Sequence, residues 1–454
     1  MTDEKSSSTK PPQKDPLIHI MFGHTEKNSA QYGILGDNLD DAGRIVGIDL
    51  NNAACISLFG APGAGKSYTM GTIIEMAAAR IPGINKLQVP LACVLFHYSP
   101  SEAYAPEFLT LNQPNRVKEQ VDLLAKYPGA VPAAVDEVIL LCPRDIVAKR
   151  EKEFPGIPCY PMTFRSEELD IVHWQFLMGA LGEASIYVKV LNSIMRDIMR
   201  KGEVITAEKL MERINSPECY LSPSDKDLAR IRCQLASEYI DDNGAPIKQY
   251  LKSGRIIQVD LRDPFLLKQE ALTLLIVLYQ LFATVRRPNG LALPKLICFD
   301  EAHKYMEDKT LVKGLVELIR EMRHQSAMIL VASQDPPSVP LEVKELSTHL
   351  VMLRFNSPLW LDDLKKVNSN LNDINPNAMT RLKPGEAYLW CSRSHDPAYT
   401  MRAWKVQCRS RATQHGGATK SAVLPDNPNQ KMENQVKTDD NKDKNPEDSK
   451  ETKL

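Results

Sequence analysis

The chain has 454 residues, a formal net charge of −1 and 25% charged residues. This length suits one large α/β domain or two smaller ones. A charge balance so close to zero excludes a globally basic protein, so any contact with DNA would need a local positive patch or a surface formed by assembly.

The ends of the chain differ in composition from the rest. Residues 1–16 are polar and rich in Pro, Ser and Lys, and residues 409–454 have almost no aromatic side chains, so we predict a disordered leader and a disordered tail. Between them, residues 17–50 predict a short N-terminal β subelement and residues 51–408 the main domain. No stretch has the apolar length of a membrane span, and we expect no membrane association. Nine cysteines without a CxxC pair indicate reduced thiols and a cytoplasmic location.

Residues 60–67 match G-x-x-x-x-G-K-[ST], the phosphate-binding loop or Walker A motif. The apolar run 54–59 predicts a buried strand before it, and residues 68–80 predict a helix after it. Such a junction directs backbone N–H groups at an anion. Lys66 would reach the β- and γ-phosphates of ATP, and the Ser67 hydroxyl would ligate Mg²⁺. The predicted nucleotide-binding residues are Gly60, Ala61, Pro62, Gly63, Ala64, Gly65, Lys66, Ser67 and Tyr68.

The remaining pattern alternates between strands and helices. Residues 160–250 form a mainly helical insertion, in which Ser222 and Pro223 predict the start of a helix that ends near residue 240. The predicted strands are 90–98, 134–142, 254–261, 296–299, 327–332, 349–355, 386–391 and 399–406. This alternation predicts an α/β fold with a mainly parallel sheet and helices on both of its faces.

The strand 296–299 ends in two carboxylates, Asp300 and Glu301. Phosphoryl transfer needs acidic groups at the carboxyl end of a strand beside the phosphate loop. Asp300 would hold Mg²⁺, and Glu301 would orient and polarise the attacking water. The alternative is an acidic helix start, where Asp and Glu are favoured by the helix dipole.

Gln334 and Arg323 are further candidates for catalytic roles. Gln334 follows the strand 327–332, where an amide can bind the γ-phosphate or the attacking water; the alternative is a polar turn residue. Arg320 and Arg323 close the preceding helix, where cations favour the C-terminal end of the helix dipole. Arg323 could instead be an arginine finger that serves the γ-phosphate of a neighbouring subunit. Spacing alone leaves both alternatives open.

Together these motifs resemble the HerA/FtsK superfamily of ring-forming, DNA-pumping ATPases, and the HerA-like branch in particular. The resemblance covers about residues 32–406 and rests on 60–67, 254–261, 296–303, Arg323, 329–334 and the turn 383–387. It implies a RecA-like P-loop NTPase fold and a trans-acting Arg323. His324 departs from the lysine that usually follows this arginine. The residues before Gly60 are too few for the β-barrel of typical HerA proteins, which docks a nuclease.

The resemblance also implies a homo-oligomer, a hexameric ring that translocates or remodels DNA in a repair or defence system, with a nuclease or another protein as a possible partner. The residues themselves predict only a Walker A and Walker B site that binds and hydrolyses ATP with Mg²⁺. A second hypothesis is a nucleotide-switched assembly module that organises protein partners without moving along DNA.

Overall fold

The strands of the described chain form one large mixed sheet. In chain order they are β1 (Ile20–Phe22), β2 (Tyr32–Asn38), β3 (Ile45–Asp49), β4 (Cys55–Phe59), β5 (Asn85–Lys86), β6 (Ala92–His97), β7 (Glu137–Cys142), β8 (Cys159–Pro161), β9 (Arg255–Asp260), β10 (Lys295–Phe299), β11 (Ala327–Ser333), β12 (His349–Leu353), β13 (Glu386–Cys391) and β14 (Trp404–Cys408). The computed structural model describes residues 15–417, apart from 100, 103, 180–184, 265, 305, 307 and 308, and only the backbone of 309–311 and 318. The predicted leader up to residue 14 and the tail from residue 418 lie outside these residues.

The strand order places a parallel block at the centre of the sheet. The order is β1-β3-β2-β14-β13-β12-β4-β11-β10-β6-β9-β7-β8, with β5 beside β2. Neighbours are parallel from β12 to β8, whereas β13, β14 and β2 are antiparallel to their neighbours. The carboxyl ends of β4, β11, β10 and β6 therefore lie side by side at one edge.

Helices cover both faces of this sheet. They are α1 (Lys66–Ala78), α2 (Lys118–Leu124), α3 (Val147–Glu153), α4 (Ile171–Leu177), α5 (Ile186–Arg200), α6 (Ala207–Asn215), α7 (Pro223–Ser237), α8 (Lys268–Ala283), α9 (Lys309–Glu321), α10 (Leu341–Glu345), α11 (Pro358–Val367) and α12 (Pro376–Thr380). Helices α4 to α7 form the predicted helical insertion. Helix α7 starts at Pro223 as predicted, and the Ser222 hydroxyl accepts a hydrogen bond from the Asp225 N–H at 3.2 Å.

Two separate apolar cores show why the sheet needs helices on both sides. Ile56 and Leu58 of β4 belong to the core that includes α1, whereas Cys55 and Phe59 point into the core that includes α8. All four side chains are buried, because a central parallel strand has no face left for solvent. No described helix has the length and apolar content to cross a bilayer. The predicted α/β fold is confirmed.

Two predicted boundaries differ most from the structure. The last strand begins at Trp404 and not at residue 399, because Asp396 caps a 3₁₀ turn, Pro397–Thr400, by accepting the Ala398 N–H at 2.9 Å. The ordered chain also continues past residue 408, since residues 409–417 pack on the domain. Arg409 and Arg411 of this segment are fully buried, where their charges compensate the buried carboxylate of Glu75. The sequence pattern did not predict this pairing.

Candidate active site

The phosphate loop connects the end of β4 to the start of α1 through a glycine-dependent turn. Gly63 and Gly65 have φ angles of 74° and 97°, in the left-handed region that glycine adopts at little cost. Gly65 precedes Lys66, and no described side chain caps the helix. Its first N–H groups therefore remain directed at whatever lies beyond the helix end, the usual geometry of an anion site.

Neighbouring strands support the loop from the side. The Ala61 N–H donates to the carbonyl of Arg354, just after β12, at 2.9 Å, and the Ala64 N–H donates to the Ala61 carbonyl at 3.1 Å. A Cβ on Gly65 would lie 3.3 Å from the backbone nitrogen of Gly385. The turn 383–387, noted in the sequence, thus packs directly against the phosphate loop.

Lys66 lies between the two predicted catalytic carboxylates. Its Nζ is 3.2 Å from Oδ1 of Asp300 and 2.9 Å from Oε1 of Glu301. Lys66 and Asp300 are both buried, with 6% and 8% of their surfaces exposed. Burial opposes charge on either group, but Asp300 and Glu301 raise the pKa of Lys66 above its usual value. The Lys66 ammonium and the Asp300 carboxylate therefore stabilise each other's ionised forms.

His97, at the end of β6, is a second neighbour of Asp300. Its Nδ1 lies 3.9 Å from Oδ2 of Asp300, and its Nε2 lies 3.0 Å from the Tyr104 carbonyl. Burial by itself would raise the pKa of Asp300, but Lys66 and His97 hold it well below the usual range. Asp300 stays ionised at neutral pH, as a ligand for a divalent cation must be.

Glu301 is held in a strained backbone conformation. Its φ of 49° is one of two positive values among the described non-glycine residues, and for such residues this region costs about 1–3 kcal/mol. The carboxylate is held by Gln334, whose Nε2 donates to Oε1 at 2.9 Å. His303 Nδ1 lies 3.3 Å from Oε2, and neither atom has a hydrogen-bond partner among the described residues. Strain and a buried free oxygen both indicate a functional rather than a structural carboxylate.

This strain makes Glu301 a position where stability and activity should oppose each other. We expect Glu301→Gly to be more stable than Glu301→Ala by about 1 kcal/mol, because only glycine relaxes a left-handed backbone. Both variants should lose turnover equally, because both lack the carboxylate. Urea unfolding and ATP turnover of the pair test this; equal stability of the two variants would show that the conformation carries no strain.

The strand order explains why Gln334 reaches Glu301. Strand β11 lies between β4, which carries the phosphate loop, and β10, which ends at the acidic pair. Register pairs Ser333 with Phe59 of β4 and Val331 with Phe299 of β10. Gln334 therefore emerges between the phosphate loop and the acidic pair, so the structure brings these predicted residues together.

Glu107 was not found from the sequence. It begins a 3₁₀ helix, Glu107–Asn112, in the long connection after β6. Burial and the nearby Asp300 raise the pKa of its carboxyl, whereas the Ser67 hydroxyl, as a donor, lowers it. Glu107 therefore lies near both Ser67 and Asp300. Hard oxygen donors of this kind fit Mg²⁺, with Ser67 and Asp300 as the residues that would hold it.

Arg323 does not reach the site of its own chain. It follows α9 in an exposed turn before β11, whereas Gln334 follows the other end of that strand. Seven strand residues separate the two positions by roughly 20 Å. The turn itself is anchored, since Nζ of the buried Lys295 donates to the Gln325 carbonyl at 2.9 Å. An arginine side chain is shorter than this separation, so Arg323 lies outside the nucleotide site of its own chain.

The sheet order, the glycine loop and the acidic pair define a RecA-like P-loop NTPase fold. No family model and no curated protein matches the sequence. Among solved structures, VirB4 of Thermoanaerobacter pseudethanolicus matches with a TM-score of 0.52 and 12% identity, covering 86% of this chain and 99% of that one. The plasmid coupling protein TrwB in complex with ADP and Mg²⁺ matches with a TM-score of 0.50 and 11% identity, covering 91% and 98%. Both likenesses support the predicted fold, a mainly parallel sheet covered by helices on both faces.

Proposed function

We propose that this protein is a Mg²⁺-dependent ATPase that works as a ring and translocates or remodels DNA. One observation carries the enzymatic part: Lys66, Asp300, Glu301 and Gln334 converge at the ends of three adjacent strands beside an open helix N-terminus. Their proximity supports the roles in phosphoryl transfer that we assign to them.

The residues divide the reaction among them. Lys66 and the N–H groups that open α1 bind the phosphates and offset their charge. Mg²⁺, held by Ser67 and Asp300, would neutralise charge that develops on the β- and γ-phosphate oxygens. Glu301 accepts a proton from the attacking water. Gln334, which donates a hydrogen bond to Oε1 of Glu301, orients that water.

The proposed ring and its DNA substrate rest on the position of Arg323 and on the family resemblance. Exposure of Arg323 away from its own site supports a neighbour-to-neighbour arrangement, and the family resemblance implies a hexamer and DNA. We propose a nuclease or another protein as the partner of the ring. The nine cysteines are free thiols, as a cytoplasmic protein would have.

The test is ATP turnover with and without double-stranded DNA over a series of salt concentrations, together with the mass of the particle in ATP and Mg²⁺. We expect a ring and DNA-stimulated turnover that falls as salt rises. Glu301→Gln should lower turnover by about 10²–10⁴-fold. Glu342→Gln, on an exposed helix start, is the matched control and should behave as the wild type.

Three outcomes would each contradict one part of the proposed function. Absence of turnover with ATP and Mg²⁺ would overturn the ATPase. Turnover that ignores DNA but requires a protein partner for assembly would favour the nucleotide-switched module. A monomer with full activity would exclude the ring.

A further inference from the structure

Tyr68, in the first turn of α1, is held by two groups outside the phosphate loop. Its hydroxyl donates to Oε1 of Gln120, on α2, at 3.1 Å. The same hydroxyl accepts the backbone N–H of Arg411 at 2.8 Å. Both hydrogen-bonding directions of the phenol are therefore occupied by protein, and Tyr68 directly follows Ser67 of the phosphate loop.

The C-terminal segment 409–417 also contacts the ring of Tyr68. The His415 ring meets it edge-on, with centroids 5.2 Å apart, and the Arg411 guanidinium lies 5.9 Å from its centre. Gly71, one turn further along α1, admits this arginine, because a Cβ there would lie 2.5 Å from Nη1. The segment is thus fitted to the surface of the first turns of α1.

One side chain joins the two holding groups. Nδ2 of Asn115 donates to the Arg411 carbonyl at 2.8 Å and to Oε1 of Gln120 at 2.9 Å. Gln120, Arg411 and Tyr68 thereby form a closed set of hydrogen bonds. A closed set keeps the phenol hydroxyl in one place, which separate contacts would not do as well.

We propose that Tyr68 is a positioning residue: it fixes the first turn of α1 so that Lys66 and Ser67 face the phosphates, and the C-terminal segment holds it there. This rests on the proposed nucleotide site. The turn has no described side-chain cap of its own, so its orientation depends on contacts such as these. A phosphate-binding turn that moves by a fraction of an ångström loses aligned N–H groups and with them affinity.

The test measures binding of a fluorescent non-hydrolysable ATP analogue with Mg²⁺ to the full chain. Tyr68→Phe keeps the ring and loses both hydrogen bonds, so we expect affinity to fall about 10-fold. Gln120→Leu removes one of the two hydrogen bonds of the phenol, together with the bond from Asn115, and should have a smaller effect in the same direction. The double variant should be no weaker than Tyr68→Phe alone, because both changes act on one hydroxyl.

Tyr127→Phe is the matched control. Its hydroxyl donates to Oδ2 of Asp37, on β2, at 3.2 Å, so its loss removes a phenol hydrogen bond that involves neither Gln120 nor Arg411 and should leave affinity unchanged. Wild-type affinity in a folded Tyr68→Phe protein, or additive effects in the double variant, would overturn the positioning role. Failure of the wild type itself to bind the analogue would instead refute the proposed nucleotide site.

Discussion

Truncating the chain after Cys408 should lower the free energy of unfolding by about 3–5 kcal/mol, because it would leave a buried carboxylate without its partners. Truncation after Gly417, which removes only the tail, should change it by less than about 0.5 kcal/mol. Urea unfolding followed by circular dichroism measures both. The nine residues that separate the two end points are thus expected to carry the whole effect.

Glu75, fully buried on α1, is the reason for this expectation. Its Oε1 accepts from Nη1 of Arg409 at 2.5 Å and from the Ala412 N–H at 3.0 Å. Its Oε2 accepts from the N–H and the hydroxyl of Thr413 at 2.9 and 2.6 Å. Arg411 adds a second buried positive charge 3.9 Å away. All of these partners belong to the C-terminal segment.

Glu75→Leu provides the internal check on this explanation. In the chain truncated after Cys408, it should recover much of the lost stability, because an apolar side chain needs no partner in the core. In the full chain the same substitution should destabilise, since it leaves Arg409 buried and unpaired. If the chain truncated after Cys408 unfolds like the full chain, the compensation of Glu75 is not the role of this segment.

Arg323→Ala should lower ATP turnover of the assembled protein by about 10³–10⁵-fold, the range for a lost arginine finger. The side chain is exposed and lies at the far end of β11 from Gln334. Its removal should therefore leave both folding and nucleotide affinity nearly unchanged. Arg320→Ala, exposed near the end of the same helix, is the matched control and should retain turnover.

Mixed assemblies test whether the finger acts between subunits. Arg323→Ala subunits keep an intact site, and Lys66→Ala subunits keep an intact finger. In a randomly mixed head-to-tail ring, roughly one interface in four joins an intact site to an intact finger, so about a quarter of the turnover should return. If no activity returns on mixing, or if Arg323→Ala is fully active, the trans-acting finger is wrong.

The sequence by itself determined the parts of this protein that depend on local pattern. The phosphate loop was predictable because Gly63, Gly65 and Lys66 act through neighbouring backbone and need no distant partner to be recognised. Asp300 and Glu301 were predictable because an apolar run that ends in carboxylates marks a strand end. The alternation of strands and helices was sufficient for a mainly parallel sheet.

Only the tertiary structure decided which distant groups surround these motifs. His97 could have been anticipated once β6 was paired with β10, but Glu107 lies in a connection with no periodic signal. The strain at Glu301 is a property of its backbone conformation, which cannot be predicted from the residue type. The polar composition after residue 408 predicted disorder, yet Arg409 and Arg411 are buried. They neutralise the buried carboxylate of Glu75, which lies more than 330 positions earlier in the chain. Charges that compensate each other across the fold leave no pattern in the order of the residues, so the sequence could not reveal this pairing.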